Sequence, residues 1–336
     1  MERALYEPGL GYYATSADRP TRAGDFLTAP ELHPIFGHVL ARRVDEMWQA
    51  IGRPETFTVR EFGAGTGTLF VTLLEGLNNL ESDLVSAIRY QPVDLVLQRK
   101  ALTERLEAAG HANVLSDTDA DSALIGVVLA NEFLDALPVH LVVRERNDLR
   151  EIHVDWQDGR FVERVGELSD ARLSTWFSDS GVELLDGQRA EASLAMLDWV
   201  SSIGSQLERG FAIVIDYGAS STELYAAHRM TGTLRAFRGQ HVSSDVLSAV
   251  GHQDITAHVD FDALQRAALG ADLMVAERRR QAEFLIDNGL DEAYAAARVA
   301  SDQDWSAALS LRSAVRRLID PQALGGYQVA VLGKGL

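Results

Sequence analysis

The clearest pattern of hydrophobic and polar positions begins at residue 57. Phe57-Thr58-Val59-Arg60-Glu61-Phe62 reads as a short buried strand, a glycine cluster turns the chain, and Leu69 to Leu77 carries the apolar spacing of a helix. The pattern then repeats. Tyr90 to Leu95 is a second strand, Leu97 to Ala108 a helix, Val114-Leu115 a short edge, and Leu124 to Ala130 a nearly continuous apolar strand. Strands that alternate with helices predict a parallel sheet covered on both faces. Upstream, Ile35, Phe36, Val39, Leu40, Val44 and Met47 recur at helical spacing, behind an irregular arm over residues 1–30 rich in Gly, Pro, Tyr and Thr.

Beyond residue 138 the texture changes. Leu141-Val142-Val143, Arg150 to Trp156 and Arg160 to Val165 alternate, joined by Arg146-Asn147-Asp148 and Gln157-Asp158-Gly159, the pattern of a β-meander or hairpin insertion. Residues 189–208 return to helix. Phe211 to Ile215 is the best buried strand in the chain, with Asp216-Tyr217-Gly218 at its carboxyl end. Leu264 to Arg317, mostly Ala, Leu, Arg and Glu, reads as several helices, and Tyr327 to Leu332 as a last strand. The expected organisation is α/β. An N-terminal arm and helix occupy residues 1–52. A core follows over 53–262 and 321–336, with a β insertion at about 139–187, and 263–320 form a helical segment on the substrate side.

Composition narrows the choice of function. With 336 residues, 46% of them hydrophobic, the chain can build one large core with appendages or two modest domains. A net charge of -18 argues against nucleic acid as the partner. No cysteine is present, so disulfides, thiolate metal sites and a cysteine nucleophile are excluded. The nine histidines form no HxxxH or HExxH pair, and no metal is expected. No apolar run is long enough to span a bilayer, so no membrane insertion is expected. Met1-Glu2-Arg3-Ala4-Leu5-Tyr6 has neither a secretory nor a transit pattern, and the expectation is a cytoplasmic protein.

Three places at strand ends carry candidate chemistry, because ligands of open α/β sheets bind beyond the carboxyl ends of the strands. Glu61-Phe62-Gly63-Ala64-Gly65-Thr66-Gly67-Thr68 joins a strand to a helix, where glycines let the backbone approach a ligand and the helix start offers free N–H groups. A dinucleotide loop needs G-x-G-x-x-G, and position 68 is Thr. Gly63, Gly65 and Gly67 behind the acidic Glu61 resemble instead motif I of class I S-adenosylmethionine-dependent methyltransferases. Asp94, ending the next strand 27 residues past Gly67, could accept both ribose hydroxyls, or could be a surface acid. Asn131, Glu132 and Asp135 follow the strand ending at Ala130. Two carboxylates there suit a guanidinium or amine acceptor, since they orient the cation and take up the proton released on alkylation. The competing reading has Asn131 capping a short helix whose first turn the two acids decorate. Asp25 and Thr28, in Gly24 to Glu31, could cover the cofactor as part of a lid, while Thr28 or Glu31 could simply cap the first helix. Thr233 to His241 is a basic island suited to gripping a carboxylate or an acidic peptide, or is equally a solvated loop.

Several motifs together resemble the MidA-type methyltransferases, relatives of the mitochondrial protein arginine methyltransferase that assists complex I assembly. They are Ala4-Leu5-Tyr6 with Gly11-Tyr12-Tyr13, Gly24 to Glu31, Glu61 to Leu69, Asn131 to Val139, Ile215 to Gly218, Thr233-Leu234-Arg235 and Asp254 to Phe261. The resemblance implies a Rossmann-like class I methyltransferase sheet with helices on both faces, S-adenosyl-L-methionine as cofactor, and a protein substrate such as an arginine side chain, by analogy in a respiratory-complex subunit. Two departures stand out. Ala64 and Thr66 replace the family's usual Pro and Arg in the loop, and Val93-Asp94-Leu95-Val96-Leu97 keeps an acid but loses a Ser-Pro. A small-molecule methyltransferase and a non-catalytic assembly factor are the alternatives.

Overall fold

Apolar runs become strands here where a sheet can bury them on both faces. β1 (Phe57–Phe62), β2 (Ile88–Val93), β3 (Leu124–Asn131) and β4 (Leu207–Asp216) are parallel neighbours. β5 (Met274–Arg280) forms the edge, and β6 (Gln328–Lys334) lies antiparallel between β4 and β5. The order β5-β6-β4-β3-β1-β2 places β2 on one side of β1 and β3 on the other. Winding therefore reverses at β1, which makes the carboxyl ends of β1 and β3 the topological switch point, where such sheets bind ligands. In a computed structural model of the chain, the described residues are 1–15, 28–108, 110–116, 121–239, 241–301 and 303–336.

The residues divide into two compact units. One comprises Leu27–Phe133, Ser202–Tyr217 and Ala268–Leu336 and holds the six-stranded sheet. Its core interleaves Val59, Val127, Leu129, Ile213, Ile215, Val329 and Val331 with Phe36, Phe70, Leu73, Phe284 and Leu318. The helices Ile35–Ala50 and Thr68–Asn79 cross closely: a Cβ on Gly37 would lie 2.0 Å from Thr72 Oγ1, and one on Gly76 2.6 Å from Ala41 Cβ. This contact fixes the helix that starts at the glycine loop.

Two expectations fail in this unit. Met274–Arg280 is a strand inside the segment read as helical. Its side chains are half-buried or exposed, and Arg43 and Arg279 pair with Glu277, so the strand lacks an apolar signature. Charged residues are common on edge strands because they discourage pairing with other chains. Val114 ends a 3₁₀ turn, Ala112–Val114, and only Leu115 bridges to Tyr90.

The second unit comprises Met1–Phe26, Leu134–Ser201 and Gly218–Ala267. The meander is present as His140–Glu145, Asp148–Gln157 and Arg160–Gly166, and Arg189–Ala192 completes a four-stranded antiparallel sheet. Those last four residues belonged to a run expected to be helical; the helix starts only at Leu194. Arg235–Arg238 pairs with His241–Ser243 and with Asp254–Thr256, so the basic island is a hairpin strand. The start of the arm is a short helix, Glu2–Tyr6, not irregular chain. Tyr6 Oη donates to the Ala136 carbonyl at 2.8 Å, and Tyr13 Oη donates to Asp254 Oδ1 at 2.6 Å.

The units thus fall at boundaries other than 1–52, 53–262 and 263–320. Residues 1–15 and 218–260 belong to the β unit, whereas helix Ile35–Ala50 and the C-terminal helices join the sheet. The reason is packing: the apolar stripe of Ile35–Ala50 is buried in the sheet unit's core, together with Phe284, Leu290, Leu311 and Leu318.

Candidate functional site

The glycine loop is built from left-handed backbone. Gly63, Gly65 and Gly67 have φ of +65°, +51° and +74°, values an L side chain adopts only with strain. Each is tied down: Gly63 N donates to Val93 O at 2.9 Å, Gly65 N to Asp94 Oδ2 at 2.8 Å, and Gly67 N to Ala64 O at 2.8 Å. Arg105 also donates to Thr66 O at 2.9 Å. A Cβ on Gly63 would press on Phe133, and one on Gly67 on Leu102. One on Gly65 would meet nothing nearer than Gly63 O at 3.9 Å. Gly65 therefore faces open space, and Gly67 opens the helix Thr68–Asn79. This is a cradle with helix-terminal N–H groups at its mouth.

Two acids flank it in different ways. Asp94 accepts from Gly65 N through Oδ2 and from Leu95 N through Oδ1, so it clips the end of β2 to the glycine loop. A carboxylate has about four lone-pair sites, which leaves each oxygen able to accept another hydrogen bond. Glu61 points inward and accepts from Tyr90 Oη at 2.7 Å, while Tyr90 stacks on Phe70 with ring centroids 3.6 Å apart. Burial, and then the charge of Asp94, push the Glu61 carboxyl up to about 8, against the opposing bond from Tyr90. Tyr90 and Arg105 were missed by the sequence reading, because nothing in a lone aromatic or a helical Arg marks a contact to this loop.

The titration of Glu61 has a checkable consequence. A carboxyl whose folded pKa lies above its ordinary 4.5 contributes stability that is whole below about 4.5 and lost as pH rises toward 8. In thermal denaturation without cofactor, the melting temperature should therefore fall from pH 5 to pH 8.5, and Glu61→Gln should flatten that fall. Parallel pH profiles for both proteins would contradict this environment for Glu61.

The third group lies at the end of β3. Glu132 has φ +50°, a left-handed conformation in a non-glycine residue, and its amide donates to Ile215 O at 2.8 Å. Such strain costs about 1–3 kcal/mol and persists where the surroundings impose it. Its Oε1 accepts from Ala29 N at 3.1 Å and from Asn131 Nδ2 at 3.2 Å. Thr28 is the N-cap residue of Ala29–Leu32 by position, but its side chain makes no capping bond; Glu132 satisfies that helix start. Asn131 caps no helix and ends β3, with Oδ1 buried and lacking a hydrogen-bond partner among the described residues. Gly63, Gly65, Gly67, Glu61, Asp94, Asn131, Glu132 and Thr28 thus share the sheet unit. Asp135, buried in the turn Leu134–Ala136, belongs to the β unit, where its carbonyl accepts from Ala257 N at 2.9 Å. Asp25 lies outside the described residues.

Over residues 39–277 the sequence matches a family of S-adenosyl-L-methionine-dependent methyltransferases. The chain belongs to that family. This methyltransferase is 29% identical to the mitochondrial protein arginine methyltransferase NDUFAF7 of Danio rerio, over 97% of the chain and 80% of the relative. The protein of the same name from Mus musculus is 31% identical, over 87% of the chain and 70% of the relative. A crystal structure of a superfamily member from Burkholderia thailandensis, bound to S-adenosyl-homocysteine, superposes with a TM-score of 0.87 at 34% identity, covering 99% of the chain and 86% of that protein. The methyltransferase uses S-adenosyl-L-methionine. Its own residues fit that cofactor: the cradle at Gly65 is open, and the buried Asn131 Oδ1 is available to a donor. Among the described residues no His/Asp/Glu cluster could hold a metal, and no helix is long and apolar enough to cross a membrane.

Proposed function

We propose that this methyltransferase N-methylates a protein side chain, with arginine as the acceptor and Glu132 as the group that orients it. The observation that carries the reading is Glu132 itself. Its carboxylate is held at the switch point by Ala29 N and Asn131 Nδ2, on strained backbone, rather than on the solvated surface usual for Glu. The names of the relatives from Danio rerio and Mus musculus support arginine as the acceptor.

When bound, S-adenosyl-L-methionine supplies a sulfonium methyl whose leaving group is a neutral thioether, so the chain need not generate a strong electrophile. Gly63 to Gly67 cradle the cofactor, and Asp94 holds the loop to β2 and offers its remaining lone pairs to ribose hydroxyls. Glu132 orients a guanidinium and lowers the cost of the proton it sheds as the N–C bond forms. Positioning of this kind supplies most of the rate gain expected here.

Purified protein incubated with cell extract and methyl-labelled S-adenosyl-L-methionine tests the acceptor. Label on a protein band that hydrolyses to methylarginine is the expected result. Label confined to the small-molecule fraction would overturn the protein reading.

A further inference from the structure

The helix Trp305–Ile319 turns one face to the protein and another to solvent. Leu311, Ala314 and Leu318 are buried, and Leu311 and Leu318 belong to the sheet unit's core. At about 100° per residue, positions 305, 309, 312 and 316 fall within a stripe about 60° wide on the opposite side. Trp305 and Leu309, in the first half of that stripe, are 84% and 63% exposed. Arg312 and Arg316 continue it and Arg317 flanks them, all three exposed. The preceding helix, Leu290–Ala300, leaves Arg298 and Val299 exposed in its last turn.

The charge of this face is out of keeping with the chain. The sequence has 49 Asp and Glu against 31 Lys and Arg, yet Trp305–Ile319 carries Arg312, Arg316 and Arg317 and neither Asp nor Glu. Among the described residues Arg298, Arg312, Arg316 and Arg317 form no ion pair. The carboxylates flanking these helices are engaged. Asp304 accepts from Ser306 N and Ala307 N, Asp320 accepts from Gln322 N, Glu292 pairs with Arg42, and Asp287 pairs with Arg279. The field at a helix C-terminus accounts for Arg316 and Arg317, which lie in the last turn. It accounts neither for Arg312 nor for an indole and a leucine held in water on the same stripe.

We propose that this stripe docks the methyltransferase on an anionic lipid bilayer surface, with Trp305–Ile319 lying along the membrane plane. Charge complementarity selects the partner: the uncompensated arginines are drawn to negative headgroups, each adding about fivefold to binding near such a surface. Trp305 and Leu309 supply the second half of the fit, since an indole sits favourably at headgroup depth and an aliphatic side chain just below it. The net charge of -18 repels any polyanion at long range, which confines docking to this face and to short range. A nucleic acid would engage the arginines and leave the leucine in water, whereas a bilayer takes up both. The face holds none of the residues assigned to the cofactor or the acceptor, so docking is separable from the chemistry and does not rest on it.

Co-sedimentation of the purified protein with vesicles tests this, using phosphatidylcholine alone and phosphatidylcholine with about one third phosphatidylglycerol. The mixed vesicles should bind at least about 30-fold more tightly than the neutral ones. Arg312→Gln with Arg316→Gln should cut that preference about 25-fold, and Trp305→Ser with Leu309→Ser should weaken binding about tenfold or more. Melting temperature and S-adenosyl-L-methionine affinity should be retained in both, because all four positions are exposed. Arg312→Lys with Arg316→Lys should bind as the wild type does, since a bilayer reads the charge and not the guanidinium fork. Equal binding to both vesicles, no binding to either, binding that survives the Gln or Ser substitutions, or loss of binding in the Lys variant would overturn the proposal. So would an acidic protein captured from extract through these arginines, or self-association lost in Trp305→Ser, where vesicles are not bound: the face would then belong to a protein partner or to a second copy.

Discussion

Gly65→Val is expected to reduce S-adenosyl-L-methionine affinity by about 100-fold or more while the protein stays folded. Two facts separate the effects. The φ of +51° penalises a β-branched residue, at a cost of about 1–3 kcal/mol, which a domain of this size tolerates. The added Cβ would meet nothing beyond its chain neighbours nearer than Gly63 O at 3.9 Å, so the substitution points into the cradle rather than the core. Gly63→Val and Gly67→Val should differ, since their side chains would press on Phe133 and Leu102 and lower stability as well. Calorimetry paired with thermal denaturation distinguishes the three. A Gly65→Val protein that binds cofactor like the wild type would remove the loop from the site.

Glu132→Gln should lower kcat for methyl transfer by about 10²–10⁴-fold, the range for losing a positioned acid–base group, with cofactor affinity nearly unchanged. The amide keeps an oxygen to accept from Ala29 N, so stability should shift little. Glu132→Ala should lose the same activity and, in addition, about 1 kcal/mol of stability, the usual worth of a helix cap. Single-turnover rates with a labelled protein acceptor supply the measurement. If Glu132→Gln transfers methyl at the wild-type rate, Glu132 serves only as the cap of Ala29–Leu32 and the acceptor is oriented elsewhere.

The sheet was legible where apolar runs are dense. Phe57–Phe62 emerged with its bounds, and the runs at Tyr90, Leu124, Phe211 and Tyr327 all became strands. The glycine loop was legible because its chemistry is local: three glycines within five residues need left-handed backbone, and they have it. What escaped was set by tertiary contact. Met274–Arg280 carries the charges of an edge strand and no apolar period. Arg60 lies wholly buried in β1, bonded to Gln91, Gln206 and the Ser122 carbonyl, partners up to 146 residues distant. Glu132 and the Thr28-Ala29 helix start were singled out separately, but their hydrogen bond spans 103 residues and has no local signature. Likewise, helix Ile35–Ala50 and the C-terminal helices join the sheet unit through packing that no single window of sequence displays.

The central claim is that Gly63 to Gly67 hold S-adenosyl-L-methionine at the ends of β1 and β3. Calorimetric titration of the purified protein with S-adenosyl-L-methionine and with S-adenosyl-homocysteine measures it most directly. Saturable binding of both at one site per chain, lost in Gly65→Val, is the predicted result. Absence of heat at millimolar cofactor in the wild type, or an unaltered isotherm in the variant, would contradict it.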